Sequence, residues 1–193
     1  MDNEVKEFLA ALQKKLVSID YIKTEDIPNI GLYMDQVTTF MEKGLSPTKR
    51  YEEDKILTKT MINNYAKNKL LPPPEKKRYS KEHVLMLIFI YYFKNFLPIS
   101  DIKTILGPLT DKYFHKDADL NLEAIYTTLF SKEDTFVQEV LENVMKQFHM
   151  SADLFPDAPK ADQASLREFT FICMLSLDIY LKKQLIEAIL DKK

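Results

Sequence analysis

The 193-residue sequence predicts an all-α protein, on three observations. Glycine occurs only three times, too seldom for a chain rich in tight hairpins. Leu, Ile, Met, Lys and Glu recur at helical spacing rather than in alternation. Composition is that of an ordinary soluble globular chain, 46% hydrophobic and 29% charged, so a packed core is expected rather than disorder.

The elements follow from apolar periodicity and punctuation. A first helix is predicted over 2–17, with Val5, Phe8, Leu9, Leu12 and Leu16 on one stripe. "TEDIPNIG" breaks it. A second helix spans about 33–43, with Met34, Val37 and Met41 inward and Gly44 as its C′ stop. The charged stretch "LSPTKRYEEDKI" has no period and reads as a loop. Thr58 then caps a helix over 58–69. Its apolar face holds Leu57, Met61, Ile62, Tyr65 and Ala66, and "LLPPP" halts it. Ser80 opens a helix over 81–95 that is apolar nearly all round, the mark of a buried central helix. After Pro98, Ser100 and Asp101 start a short helix to about Leu106, which "GPL" terminates. A helix at about 119–130, a capping-box-like "SKED" with Ser131 and Asp134, and a helix to about His149 come next. "FPDAPKADQ" is a loop, and a long helix over 162–191 closes the chain. With a boundary expected between Gly107 and Asp117, the parts are 1–29, a helix packing on the head; 30–112, the head; and 113–193, a helical domain for self-association or sensing.

The net charge of −2 conceals a division. Residues 48–112 carry 13 basic and 7 acidic side chains, whereas 113–193 carry 9 and 14. Between Lys55 and Lys81 stand eight basic residues and a single acid, Glu75. Such a local excess creates a positive potential that attracts polyanions.

Other chemistries find little support. His83, His115 and His149 are isolated, without a second ligand at metal-binding spacing. The three glycines are too dispersed for a phosphate-cradling loop, and no nucleophile elbow exists. Cys173, the sole cysteine, lies in "FTFICMLSL", where a buried apolar thiol is expected. The longest apolar stretches, 84–93 and 169–177, are far short of the roughly 20 residues of a membrane helix, and no secretory leader is read at "MDNEVKEF". The expectation is a non-enzymatic, cytoplasmic protein with no metal, no cofactor and no membrane partner.

On helix 58–69, Lys59, Thr60, Asn63, Asn64 and Lys67 fall at offsets that share one side of about two and a half turns. Lysines suit phosphates, and amides suit the N6/N7 edge of adenine. The candidate DNA-binding set is Thr58, Lys59, Thr60, Asn63, Asn64, Lys67, Lys69, Lys76, Lys77 and Arg78. The competing expectation is a solvated helix face beside a solvated loop.

Residues 57–106 also carry a resemblance. Tyr65, Leu70, Leu71, Pro72, Arg78, Tyr79, Ser80, Ile102 and Leu106 stand where MerR-type winged-helix regulators have matching residues. That family has a Thr-Leu-Arg-Tyr-Tyr-Glu recognition helix, then Gly-Leu-Leu-Pro, a basic wing ending Tyr-Arg-x-Tyr-Ser, and an apolar helix. Asn63 replaces its DNA-contacting Arg, Asn64 its first Tyr, and Lys69 its Gly after the helix. The whole chain is also similar to an uncharacterised family of Gram-positive bacterial proteins described as DNA-binding regulators. The resemblance implies a winged helix-turn-helix head with helix 58–69 in the major groove and 76–78 on the flanking backbone. Tyr79 is expected to anchor the wing rather than stack on bases. The implied function is sequence-specific double-stranded DNA binding in transcription regulation, by a homodimer formed through the C-terminal helices. The alternative is a protein-interaction module whose head no longer binds DNA.

Overall fold

The computed structural model describes residues 3–115 and 118–192, with side chains from Glu7 onward. Asp2, the Val5 side chain and Asp117, which enter the expectations above, lie outside the described residues. Eight α-helices are described: α1 (Asn3–Val17), α2 (Met34–Leu45), α3 (Lys59–Lys67), α4 (Lys81–Phe93), α5 (Ile99–Tyr113), α6 (Leu122–Phe130), α7 (Glu133–Asp153) and α8 (Lys160–Leu190). The protein is all-helical, as expected. Extended pairing among the described residues is confined to two isolated antiparallel bridges, Leu32 with Tyr79 and Glu75 with Arg78. No described helix is long and apolar enough to cross a membrane.

The chain forms two compact units: Ser18–Glu133, and the N-terminal helix together with the chain from Asp134 onward. In the first, α4 is the central helix, and every residue from His83 to Tyr91 is buried. A helix apolar on all sides gains nothing from a solvent face, so α5 and α6 pack against it. Each fully buried Leu or Ile, such as Leu87 or Ile88, stabilises the fold by about 2–3 kcal/mol.

Three expected stops are corrected. Gly44 does not end α2, which runs to Leu45 and continues into a 3₁₀ turn, Ser46–Thr48. Gly44 is set instead by close packing: a Cβ there would lie 2.6 Å from Ile22 Cδ1. Nor does Gly107–Pro108 end α5. Pro108 is exposed, so the donor it lacks falls on the solvent side, and the Ile102, Leu106, Phe114 stripe continues inward past it. Ser131 does not cap α7; it ends α6, and its Oγ donates to the Thr128 carbonyl.

The domain boundary also differs. It falls not between Gly107 and Asp117, inside and just past α5, but at the start of α7. α6 belongs with the head because Leu122 and Tyr126 are fully buried there and the Tyr126 hydroxyl donates to the Ile22 carbonyl (2.8 Å). α1, expected on the head, packs with α7 and α8: Leu9, Phe148 and Phe171 form their core, and the Phe148 and Phe171 rings meet edge to face at 5.3 Å. Cys173 is exposed rather than buried. It lies two residues past Phe171, about 200° round the helix and so on the opposite side.

Candidate nucleic-acid interface

Helix α3 is nine residues long and its register is fixed at both ends. At its start, Thr58 Oγ1 accepts from the Met61 N–H (3.2 Å). Ile62 and Tyr65 are buried beneath it. With those side chains inward, Lys59, Thr60, Asn63, Asn64 and Lys67 are all exposed, as their spacing predicts. Thr58 is only half-buried, but its hydroxyl is committed to the cap. Lys59 is ion-paired with Asp35 in the first turn of α2; both side chains are mostly exposed, so the pair contributes little to stability. Among the described residues the Asn63 and Asn64 amide groups have no intramolecular partner and are available to a ligand.

At its end, α3 closes in a Schellman motif: Leu70 N–H donates to the Tyr65 carbonyl (2.9 Å) and Lys69 N–H to the Ala66 carbonyl (3.0 Å). This motif places the C′ residue in the left-handed region that favours glycine, and here that residue is Lys69, at φ 57°. The chain then passes Pro72, Pro73 and Pro74 into a tight turn in which the Arg78 N–H donates to the Glu75 carbonyl (2.8 Å). Its central residues are Lys76 (φ 48°) and Lys77 (φ 64°). Two positive φ angles in a two-residue connection are the signature of a type I′ turn, which prefers Asn-Gly. Holding a residue with a Cβ in this region costs about 1–2 kcal/mol. Among the described residues, every non-glycine residue with positive φ is one of these three lysines.

The turn is anchored at its base. Leu32 and Tyr79 exchange both backbone hydrogen bonds at 2.8 Å. Tyr79 is 3% exposed, which bears out the anchoring role expected for it. Lys76, Lys77 and Arg78 are exposed beyond it. The Arg78 guanidinium lies over the Tyr33 ring, with 5.0 Å from its carbon to the ring centroid.

His83 locks this base to the core. Its Nδ1 accepts from the Ser80 N–H (3.0 Å), completing the cap of α4 at the expected N-cap residue, Ser80. Its ring meets Tyr79 and Phe114 edge-on, at 5.5 and 4.8 Å. Burial pulls the imidazole below its ordinary value; the neighbouring Pro73 carbonyl opposes this, and His115 adds to it. The neutral form is therefore the folded one. Because the folded value lies below the unfolded one, stability is complete above about pH 6.5 and is lost as pH falls below it. Thermal unfolding at pH 7.5 and 5.5 is expected to show a drop for the wild type that shrinks in His83→Gln; an equal drop in both would remove His83 as the cause.

The predicted residues are thus gathered on two adjoining pieces of chain, the exposed face and end of α3 and the 75–78 turn. Reasoning from sequence alone missed Tyr33 and Asp35, which precede and open α2 and reach this face only through the Leu32–Tyr79 pairing and the packing of α2 on α3. Nothing local in the sequence signals either contact.

Among models of known protein families, that of a domain of unknown function (DUF1836) matches residues 22–129. No curated protein and no solved structure matches the chain. The matched span opens at Ile22, whose carbonyl receives the Tyr126 hydrogen bond, and closes inside α6, so it coincides with the helical head and contains every candidate site residue. It covers more than half of the 193 residues, and the chain belongs to the DUF1836 family.

Proposed function

We propose that the head binds double-stranded DNA with sequence preference and that the protein is a non-catalytic transcription regulator. The observation that carries this reading is where the backbone strain lies: Lys69, Lys76 and Lys77 occupy left-handed positions that glycine or asparagine would fill at lower cost. Strain of this kind clusters at functional sites. All three are exposed and project from the end of α3 and the turn that follows. In this reading α3 enters the major groove in the manner of a winged helix-turn-helix head, Asn63 and Asn64 face base edges, and Lys67, Lys69 and the 75–78 turn hold the backbone. In this reading the protein is cytoplasmic.

Self-association is assigned to the unit of α1, α7 and α8. Phe169, Ile172, Ile179, Leu185 and Ile189 on α8 are each more than half exposed, an apolar surface that a second copy would cover. A two-fold dimer suits a palindromic site.

Titration of the full chain against labelled random genomic fragments, at several salt concentrations, tests the reading. Binding that weakens steeply with salt is expected. Asn63→Ala and Asn64→Ala are each expected to relax base preference by about 1–3 kcal/mol at one position, with little change in non-specific affinity. Absence of any salt-dependent binding would overturn the reading in favour of a head that docks on an acidic protein.

A further inference from the structure

Arg78 is held differently from the lysines beside it. Its Nη2 donates to the Tyr33 hydroxyl oxygen at 3.3 Å while the guanidinium carbon sits 5.0 Å from the centre of the same ring. Its aliphatic stem crosses Gly31 so closely that a Cβ there would lie 3.0 Å from Arg78 Cβ and 3.1 Å from Cδ. The Leu32–Tyr79 hydrogen bonds, one residue along from each, fix the two backbones that carry these contacts. Yet Arg78 is exposed and Tyr33 is 50% exposed, so the pair adds little to fold stability while restricting a long side chain.

We propose that Tyr33 is a positioning residue that presents Arg78 as a preformed clamp for one phosphate of the DNA backbone. This rests on the DNA-binding reading above. A guanidinium has five N–H donors in a planar fork that matches phosphate oxygens, and Tyr33 takes only an edge of it. Asp35 is paired with Lys59, and Glu75, which faces Arg78 across the turn, forms no ion pair with it.

A double-mutant cycle in the full chain tests the clamp, with labelled duplex DNA as the probe. Tyr33→Ala is expected to weaken binding about two- to tenfold, the effect of freeing one rotamer-rich side chain, with an unchanged salt slope because no charge is removed. Arg78→Ala is expected to reduce the salt slope by about one. In the Arg78→Ala background, Tyr33→Ala should bring no further loss. Thermal midpoints should match the wild type throughout, since both side chains are exposed. Equal loss from Tyr33→Ala in both backgrounds would make Tyr33 a contact in its own right and overturn positioning. No loss in either background, with wild-type binding intact, would remove the clamp alone. A wild type without salt-dependent binding would overturn the DNA reading and the clamp with it.

Discussion

Replacing Lys76, Lys77 and Arg78 together by alanine is expected to lower affinity for duplex DNA about a hundredfold at physiological salt, evenly across sequences. Each phosphate contact contributes about 0.9 to the salt slope, so the triple variant should be shallower by about 2.7. The loss should not come from misfolding. All three side chains are exposed, the turn is closed by the backbone bond from Arg78 to Glu75, and Tyr79 is anchored by Leu32. A companion variant separates charge from shape. Lys76→Asn with Lys77→Gly supplies the residues that a type I′ turn prefers and should raise unfolding free energy by about 1–2 kcal/mol. It should nevertheless bind DNA more weakly, by two phosphate contacts. A stabilised turn that kept wild-type affinity and slope would show that the lysines are not there for DNA.

That trade between stability and binding is what the sequence leaves hidden. The polar face of α3 was legible because it is local: 3.6-residue periodicity, a Thr58 cap and a proline stop set its register without reference to the rest of the chain. The same holds for α4, whose unbroken apolar run announces burial on every side. Lys-Lys carries no turn signal, so the tight geometry at 75–78 could not be read from it. Tyr33 lies 45 residues before Arg78, and only the folded backbone brings them together.

The misplaced element boundaries have the same physical origin. Glycine and proline signal helix stops locally, but at Gly44 and at Gly107–Pro108 tertiary packing prevails. Ile22 needs the space at Gly44, and Phe114 rewards continuation of α5 by packing on His83. Charge misled in another way. The acidic balance after residue 112 suggested one domain, although α6 is bound to the head by burial. Composition averages over a surface, whereas domain membership is decided by a few buried side chains.

Tyr126 carries that membership, and its replacement is expected to be the costliest single change in the head. The side chain is fully buried, its ring packs on Phe130 at 4.4 Å and edge-on to Phe89 at 5.5 Å, and its hydroxyl reaches the Ile22 carbonyl across 104 residues of chain. Burial pushes the phenol far above its ordinary range, so it stays protonated and able to donate at neutral pH. Tyr126→Ala leaves a ring-sized cavity and an unpaired carbonyl, for an expected loss of about 3–5 kcal/mol. Tyr126→Phe keeps the packing and removes only the donor, for an expected loss of about 1–3 kcal/mol. Urea unfolding followed by tyrosine near-ultraviolet circular dichroism measures both. The difference between the variants separates aromatic packing from the hydrogen bond that ties α6 to the start of the head. If Tyr126→Ala lost less than about 1 kcal/mol, α6 would be a detachable appendage, and the boundary at residues 107–117 suggested by charge would be the physical one.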